Sequence, residues 1–108
     1  FFQNNRAMAE EMLRHARGIW EARGVRDAAL ADLYAGVGTF GISAADLFRE
    51  VVLVEAYGPA VECAEGNAAA NGARNVRAVR ADAAEALGDV LDSGAWNDAR
   101  FLHRQAVT

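Results

Sequence analysis

Three glycines, Gly36, Gly38 and Gly41, fit the spacing G-x-G-x-x-G in the stretch Asp32-Leu33-Tyr34-Ala35-Gly36-Val37-Gly38-Thr39-Phe40-Gly41. Glycine takes positive φ without penalty and lets a ligand press against bare backbone. A glycine bend between a strand and a helix therefore suits a nucleotide-like ligand, although it also serves as a tight turn with no ligand. Glu55 follows Gly36 at the interval of about 20 residues where a carboxylate accepts both ribose hydroxyls of an adenosine. Its structural alternative is an acid that answers the dipole of the next helix. Asp82 stands where a third strand ends. There it suits the adenine amino group, with the Ala83 N–H meeting a ring nitrogen, and it equally suits the N-cap of a following helix.

Asp32 decides between adenosine ligands. A dinucleotide would set its pyrophosphate on the glycine bend, and an uncompensated carboxylate four residues upstream opposes that. A unit-charge pair at ~4 Å and an effective dielectric near 20 is worth about 4 kcal/mol, enough to select a cation over an anion. S-adenosyl-L-methionine carries an adenosine, an ammonium, a sulfonium and no phosphate, so it suits Asp32, Glu55 and Asp82 together. The structural alternative for Asp32 is a hydrogen bond within the loop. A P-loop is excluded, because no Gly-Lys-Ser/Thr follows and the chain has no lysine.

The elements that must position these residues are legible in outline. Asn4 or Asn5 caps a helix to about Arg23, stopped by Gly24. Met8, Met12, Ala16, Ile19 and Trp20 form its apolar stripe, with Trp20 as the anchor. Arg6, Glu10, Arg14, Arg17 and Glu21 occupy the other faces. Residues 28–34 read as a buried strand and residues 39–48 as a second helix. Val51-Val52-Leu53-Val54 is the continuous run of a parallel strand covered on both faces. Pro59 opens a third helix that ends at Asn71-Gly72. Residues 76–81 form a third strand, 83–91 a fourth helix, and Arg100 to His103 the start of a fourth strand. Alternating strands and helices predict an α/β fold, a Rossmann-like three-layer sandwich around a parallel sheet. Ligands bind beyond the carboxyl ends of such strands, where strand order reverses.

Composition bounds the rest. The 108 residues allow one small domain. A hydrophobic fraction of 53% with 24% charged residues is that of a globular chain, not a disordered one. A net charge of −4 argues against a stand-alone nucleic-acid binder. No apolar run approaches the ~18 residues of a membrane span, and no leader opens the sequence. One cysteine, Cys63, excludes an internal disulfide and makes a cytoplasmic location the default. We expect it to be buried or half-buried on the third helix and not catalytic. His15 and His103 have no second ligand at metal spacing, so no metal is expected. Trp96 suits a lid or a plug. Arg74, Arg77 and Arg80 are expected on a solvated edge.

The stretch Asp32 to Gly41 resembles the signature of the RNA uracil-5-methyltransferases, which read D-L-Y-C-G-V-G-T-F-G; Ala35 stands at the Cys position. Phe1-Phe2-Gln3-Asn4-Asn5 is similar to the F-F-Q-x-N before that family's methyltransferase core. Val54-Glu55 and the asparagines Asn67, Asn71 and Asn75 fit the same likeness, which covers most of Phe1 to Ala83. It implies a class I methyltransferase core binding S-adenosyl-L-methionine through Gln3, Asp32, Tyr34, Gly36, Gly38, Glu55 and Asp82. The parent reaction would be methyl transfer to C5 of uracil in tRNA or rRNA. A cysteine thiolate adds to C6 and a general base removes the C5 proton. The family's D-P-P-R-type segment is not matched by Asp98-Ala99-Arg100, and the nucleophile and base regions are not found. We therefore expect about four of the seven strands of such a core, no catalytic residue in this chain, and RNA contacts made by other segments. The strand nearest the chain end would be an open edge that invites self-association. The alternatives are a non-catalytic adenosine-cofactor-binding module and an NAD-dependent oxidoreductase fragment.

Overall fold

The computed structural model describes residues 6–86 and the backbone of residues 100–103. Along the chain run α1 (Arg6–Arg23), β1 (Ala29–Leu33), α2 (Thr39–Ala44), β2 (Glu50–Glu55), α3 (Gly58–Ala70), β3 (Val76–Arg80) and β4 (Arg100–His103). The four strands form one parallel sheet in the order β3-β2-β1-β4. Strand order thus runs one way from β1 to β3 and then reverses to place β4 on the other side of β1. The crevice at the carboxyl ends of β1 and β4 is the switch point where this architecture takes ligands.

Burial explains the strands. Every residue of β1 is buried, and β2 is buried from Val51 to Val54. Two apolar clusters cover the two faces. Leu30, Val51 and Leu53 pack with Ala35, Ala44, Phe48 and Ala64 on the face of α2 and α3. Ala31, Leu33, Val52 and Val54 pack with Ala83 on the other. The helix that begins at residues 83–86 lies on that second face, which completes the three layers. The rest of the expected fourth helix, to Leu91, lies outside the described residues, as do Asn4, Asn5 and Trp96.

Three expectations change in detail. The second helix does not run on to Phe48: α2 ends at Ala44, and Ala45–Leu47 forms a tighter 3-10 turn. The Asn75 side chain donates to the carbonyls of Ala45 (2.8 Å) and Phe48 (3.0 Å), holding the chain out of α-helical register there. The apolar stripe of α1 is also narrower than expected, since Met8 and Ile19 are exposed. Docking of α1 rests instead on Trp20, which meets Phe48 edge to face at 5.1 Å between ring centroids, and on Arg17. Far from a free outer face, Arg17 forks onto both carboxylate oxygens of Asp46 (2.7 and 2.9 Å) and donates to the Ser43 carbonyl (2.7 Å). This bidentate bond and the paired charges raise the Arg17 pKa and lower that of Asp46.

Cys63 is the third correction. It is exposed, because α3 buries Val61, Ala64 and Ala68, and Cys63 projects from the opposite side of the helix. Arg77 and Arg80 are exposed on the edge strand β3 and Arg74 in the turn before it, a solvated edge as expected, with Arg77 beside Glu50 at 3.4 Å. Trp20 anchors α1 as expected.

Candidate functional site

The carboxyl ends of β1, β2 and β3 each deliver one carboxylate. Asp32 is the fourth residue of β1, Glu55 is the last of β2, and Asp82 follows β3 by two positions. Between β1 and α2 the backbone turns sharply. Tyr34, Gly36 and Gly38 all have positive φ, at 59°, 59° and 90°. Two of these are glycines, as the spacing required. Tyr34 is not, and a bulky residue in the left-handed region is strained. Its side chain is exposed at the rim of the bend.

The bend is tied down at every step. The Ala35 N–H donates to the Val54 carbonyl (3.0 Å), and the Gly38 N–H donates back to the Ala35 carbonyl (3.0 Å). The Gly36 N–H donates to Glu55 Oε1 (2.9 Å), while Glu55 Oε2 accepts from the Tyr57 N–H (2.9 Å). Glu55 therefore clamps the loops after β1 and β2 together. A carboxylate offers about four acceptor positions, so these two bonds leave capacity for a diol. Asp32 is wholly buried and its Oδ2 accepts from the Gly41 N–H (3.2 Å). Asp32 therefore holds the bend from inside, the structural alternative foreseen for it, and places a carboxylate directly beneath the first turn of α2.

Gly38, in the bend, and Gly41, in the first turn of α2, also allow close packing. A Cβ on Gly38 would meet Leu53 Cδ1 at 2.8 Å and Ile42 Cδ1 at 2.9 Å; one on Gly41 would collide with Leu53 Cδ2. Side-chain-free backbone here lets α2 lie close on the sheet, which sets the depth of the crevice. Asp82 Oδ1 accepts from the N–H groups of Ala84 (3.0 Å) and Glu85 (3.2 Å), an N-cap that fixes its carboxylate at the strand end. Glu55 and Asp82 remain accessible, and Ala83 is buried. Gln3 lies outside the described residues. Asn67 is not a site residue by sequence reasoning, yet its side chain on α3 donates to the Val37 carbonyl of the bend (2.9 Å). The available signals are its place among the asparagines of the family likeness and a polar, weakly helix-forming residue inside a helix.

No metal-ligand cluster exists among the described residues, and no described helix is long and apolar enough to cross a membrane.

A model of the tRNA (uracil-5-)-methyltransferase family matches residues 1–104. A tRNA/tmRNA (uracil-C(5))-methyltransferase of Ectopseudomonas mendocina is 41% identical over 85 residues, which is 79% of this chain and 23% of that protein. A 23S rRNA (uracil(1939)-C(5))-methyltransferase of Pseudomonas savastanoi is 38% identical over 87 residues, 81% of this chain and 19% of that protein. The chain thus spans about a fifth of the length of these curated relatives. Among solved structures, a SAM-dependent methyltransferase from Agrobacterium tumefaciens superposes with a TM-score of 0.70 at 20% identity. That match covers 81% of this chain and 28% of the other, and it shows the shared fold.

Proposed function

Because the chain belongs to the tRNA (uracil-5-)-methyltransferase family, we propose that it is the S-adenosyl-L-methionine-binding part of an RNA methyltransferase acting at C5 of uracil in tRNA or rRNA. The carrying observation is the set of three strand-end carboxylates, Asp32, Glu55 and Asp82, around a glycine bend that two of them hold by hydrogen bonds. This set of acceptors fits a cationic adenosine. When bound, S-adenosyl-L-methionine supplies a methyl group activated on a positively charged sulfur. Glu55 would accept the ribose hydroxyls with the capacity left by Gly36 and Tyr57. Asp82 would accept from the adenine amino group while keeping its capping bonds. Gly36 and Gly38 would line the ligand with bare backbone. Asp32 would act from beneath the bend, by its charge and by keeping the loop in shape. Tyr34 would flank the ligand from the rim, and Gln3 completes the proposed set on the likeness alone.

Isothermal titration with S-adenosylhomocysteine and with NAD tests this reading. Uptake of the first and not the second is expected; uptake of NAD alone, or of neither, refutes it. Methyl transfer is a separate question, read by incubating the chain with labelled cofactor and uracil-containing RNA. We expect no incorporation by residues 1–108 alone, because the one cysteine sits on the side of α3 turned away from the sheet. RNA as partner, a cytoplasmic location and pairing of β4 with a second copy belong to the same proposal. β4 is one of the two edge strands of the described sheet, so light scattering across a concentration series reads the last of these.

A further inference from the structure

The bend accepts a side-chain hydrogen bond from a residue 30 positions downstream. The peptide linking Val37 to Gly38 is held at both ends: its carbonyl accepts from Asn67 Nδ2 at 2.9 Å, and its N–H donates to the Ala35 carbonyl at 3.0 Å. Val37 O is an acceptor only, so Asn67 must present its amide NH₂ to it. Glycines on both sides of Val37 give this peptide freedom to rotate. Without the Asn67 bond, this peptide would keep only the hydrogen bond to Ala35, inside the same bend, among those described for it. Asn67 is anchored elsewhere, on α3, where its own carbonyl accepts from Asn71 Nδ2 (2.7 Å). It is exposed, and asparagine is among the weaker helix formers, so neither packing nor propensity accounts for it.

We propose that Asn67 is a positioning residue for cofactor binding: it locks the Val37–Gly38 peptide in the orientation that the ligand-facing bend requires. The inference rests on the reading of the bend as an S-adenosyl-L-methionine site. It assigns to α3 a part in affinity that no ligand contact would reveal.

The test uses Asn67→Ala and Asn67→Asp in the whole chain. Alanine removes the donor and improves helix propensity; aspartate keeps the shape and replaces the donor with an acceptor. Three quantities are read: melting temperature, the hydrogen-exchange rate of the Gly38 amide without ligand, and S-adenosylhomocysteine affinity by titration. For Asn67→Ala we expect an unchanged or higher melting temperature, faster Gly38 exchange, and affinity at least about threefold weaker, the effect of one net hydrogen bond. Asn67→Asp should lose at least as much affinity. A merely structural role would lower the melting temperature of Asn67→Ala and leave the affinity of the folded fraction alone, and that result overturns the proposal. So does an affinity loss below threefold in a chain whose parent binds. A parent chain that takes up no ligand sinks the cofactor reading itself, and the parent titration alone identifies that failure.

Discussion

Exchanging glycines for alanine one at a time separates those that the bend requires from those it does not. Gly38 is the sharpest case. At φ 90° an alanine would sit in the left-handed region, which costs about 1–2 kcal/mol. Its Cβ would lie 2.8 Å from Leu53 Cδ1 and 2.9 Å from Ile42 Cδ1, where carbon contacts prefer about 3.5–4.0 Å. Leu53 is 1% exposed, so its tip has no free space to move into, and overpacking of this kind costs about 1–3 kcal/mol. Gly38→Ala should thus lose about 2–5 kcal/mol. A domain of this size shifts by about 4–8 °C per kcal/mol, so its melting temperature should fall by at least about 8 °C. Gly18 and Gly66 lie in the interiors of α1 and α3, and a Cβ at either would meet nothing within 4 Å. Each alanine there should gain about 0.5–1 kcal/mol. Thermal and urea unfolding of the three single variants beside the parent supplies the measurement. A Gly38→Ala chain as stable as the parent would show that the bend does not have this geometry; losses at Gly18 or Gly66 would show that those helices are not placed as described.

Glu55→Ala removes the acceptor for both the Gly36 and Tyr57 N–H groups and the proposed ribose partner, so cofactor affinity should fall at least about tenfold, or 1.4 kcal/mol; an unchanged titration moves the pocket elsewhere. Asn75→Ala strips the donor from two carbonyls, those of Ala45 and Phe48, and should cost about 1–3 kcal/mol in urea unfolding. The pKa of Asp46 is lowered by its hydrogen bond to Arg17 from an ordinary value of 3.8. Its contribution is therefore present above that value and lost as the pH falls through the folded-state value. With the Asp46 side chain 64% exposed, screening limits the effect to less than about 1 kcal/mol. The stability difference between the parent and Asp46→Asn should be small at pH 6 and vanish in strong acid; a difference that grows in acid contradicts the pairing.

Where one physical force dominates, the sequence is readable. The run Val51 to Val54 can only be a strand buried on both faces, and the glycines between β1 and α2 can only be a bend. Asp82 as a cap and Glu55 at a strand end follow from position alone. What stays hidden depends on partners distant in the chain. Asn75 shortens α2 from 30 residues away, and Arg17 is drawn from the outer face of α1 by Asp46 across 29. Cys63 departs from expectation for a local reason: its apolar character points inward while its helical phase points outward, and Val61, Ala64 and Ala68 already define the buried side. Tyr34 carries a left-handed backbone where local sterics favour glycine, and no pattern of residue types announces that.

The placement of β4 against β1 has a consequence for synthesis. Leu30 pairs with Arg100, about seventy positions later in the chain. At about 5–20 residues per second, a ribosome needs roughly 4–14 s to deliver that partner. For that interval one flank of the most deeply buried strand has no neighbour, while β2 and then β3 are delivered to the other side within it. A nascent chain paused there would be a natural client for a chaperone that shields bare strand edges.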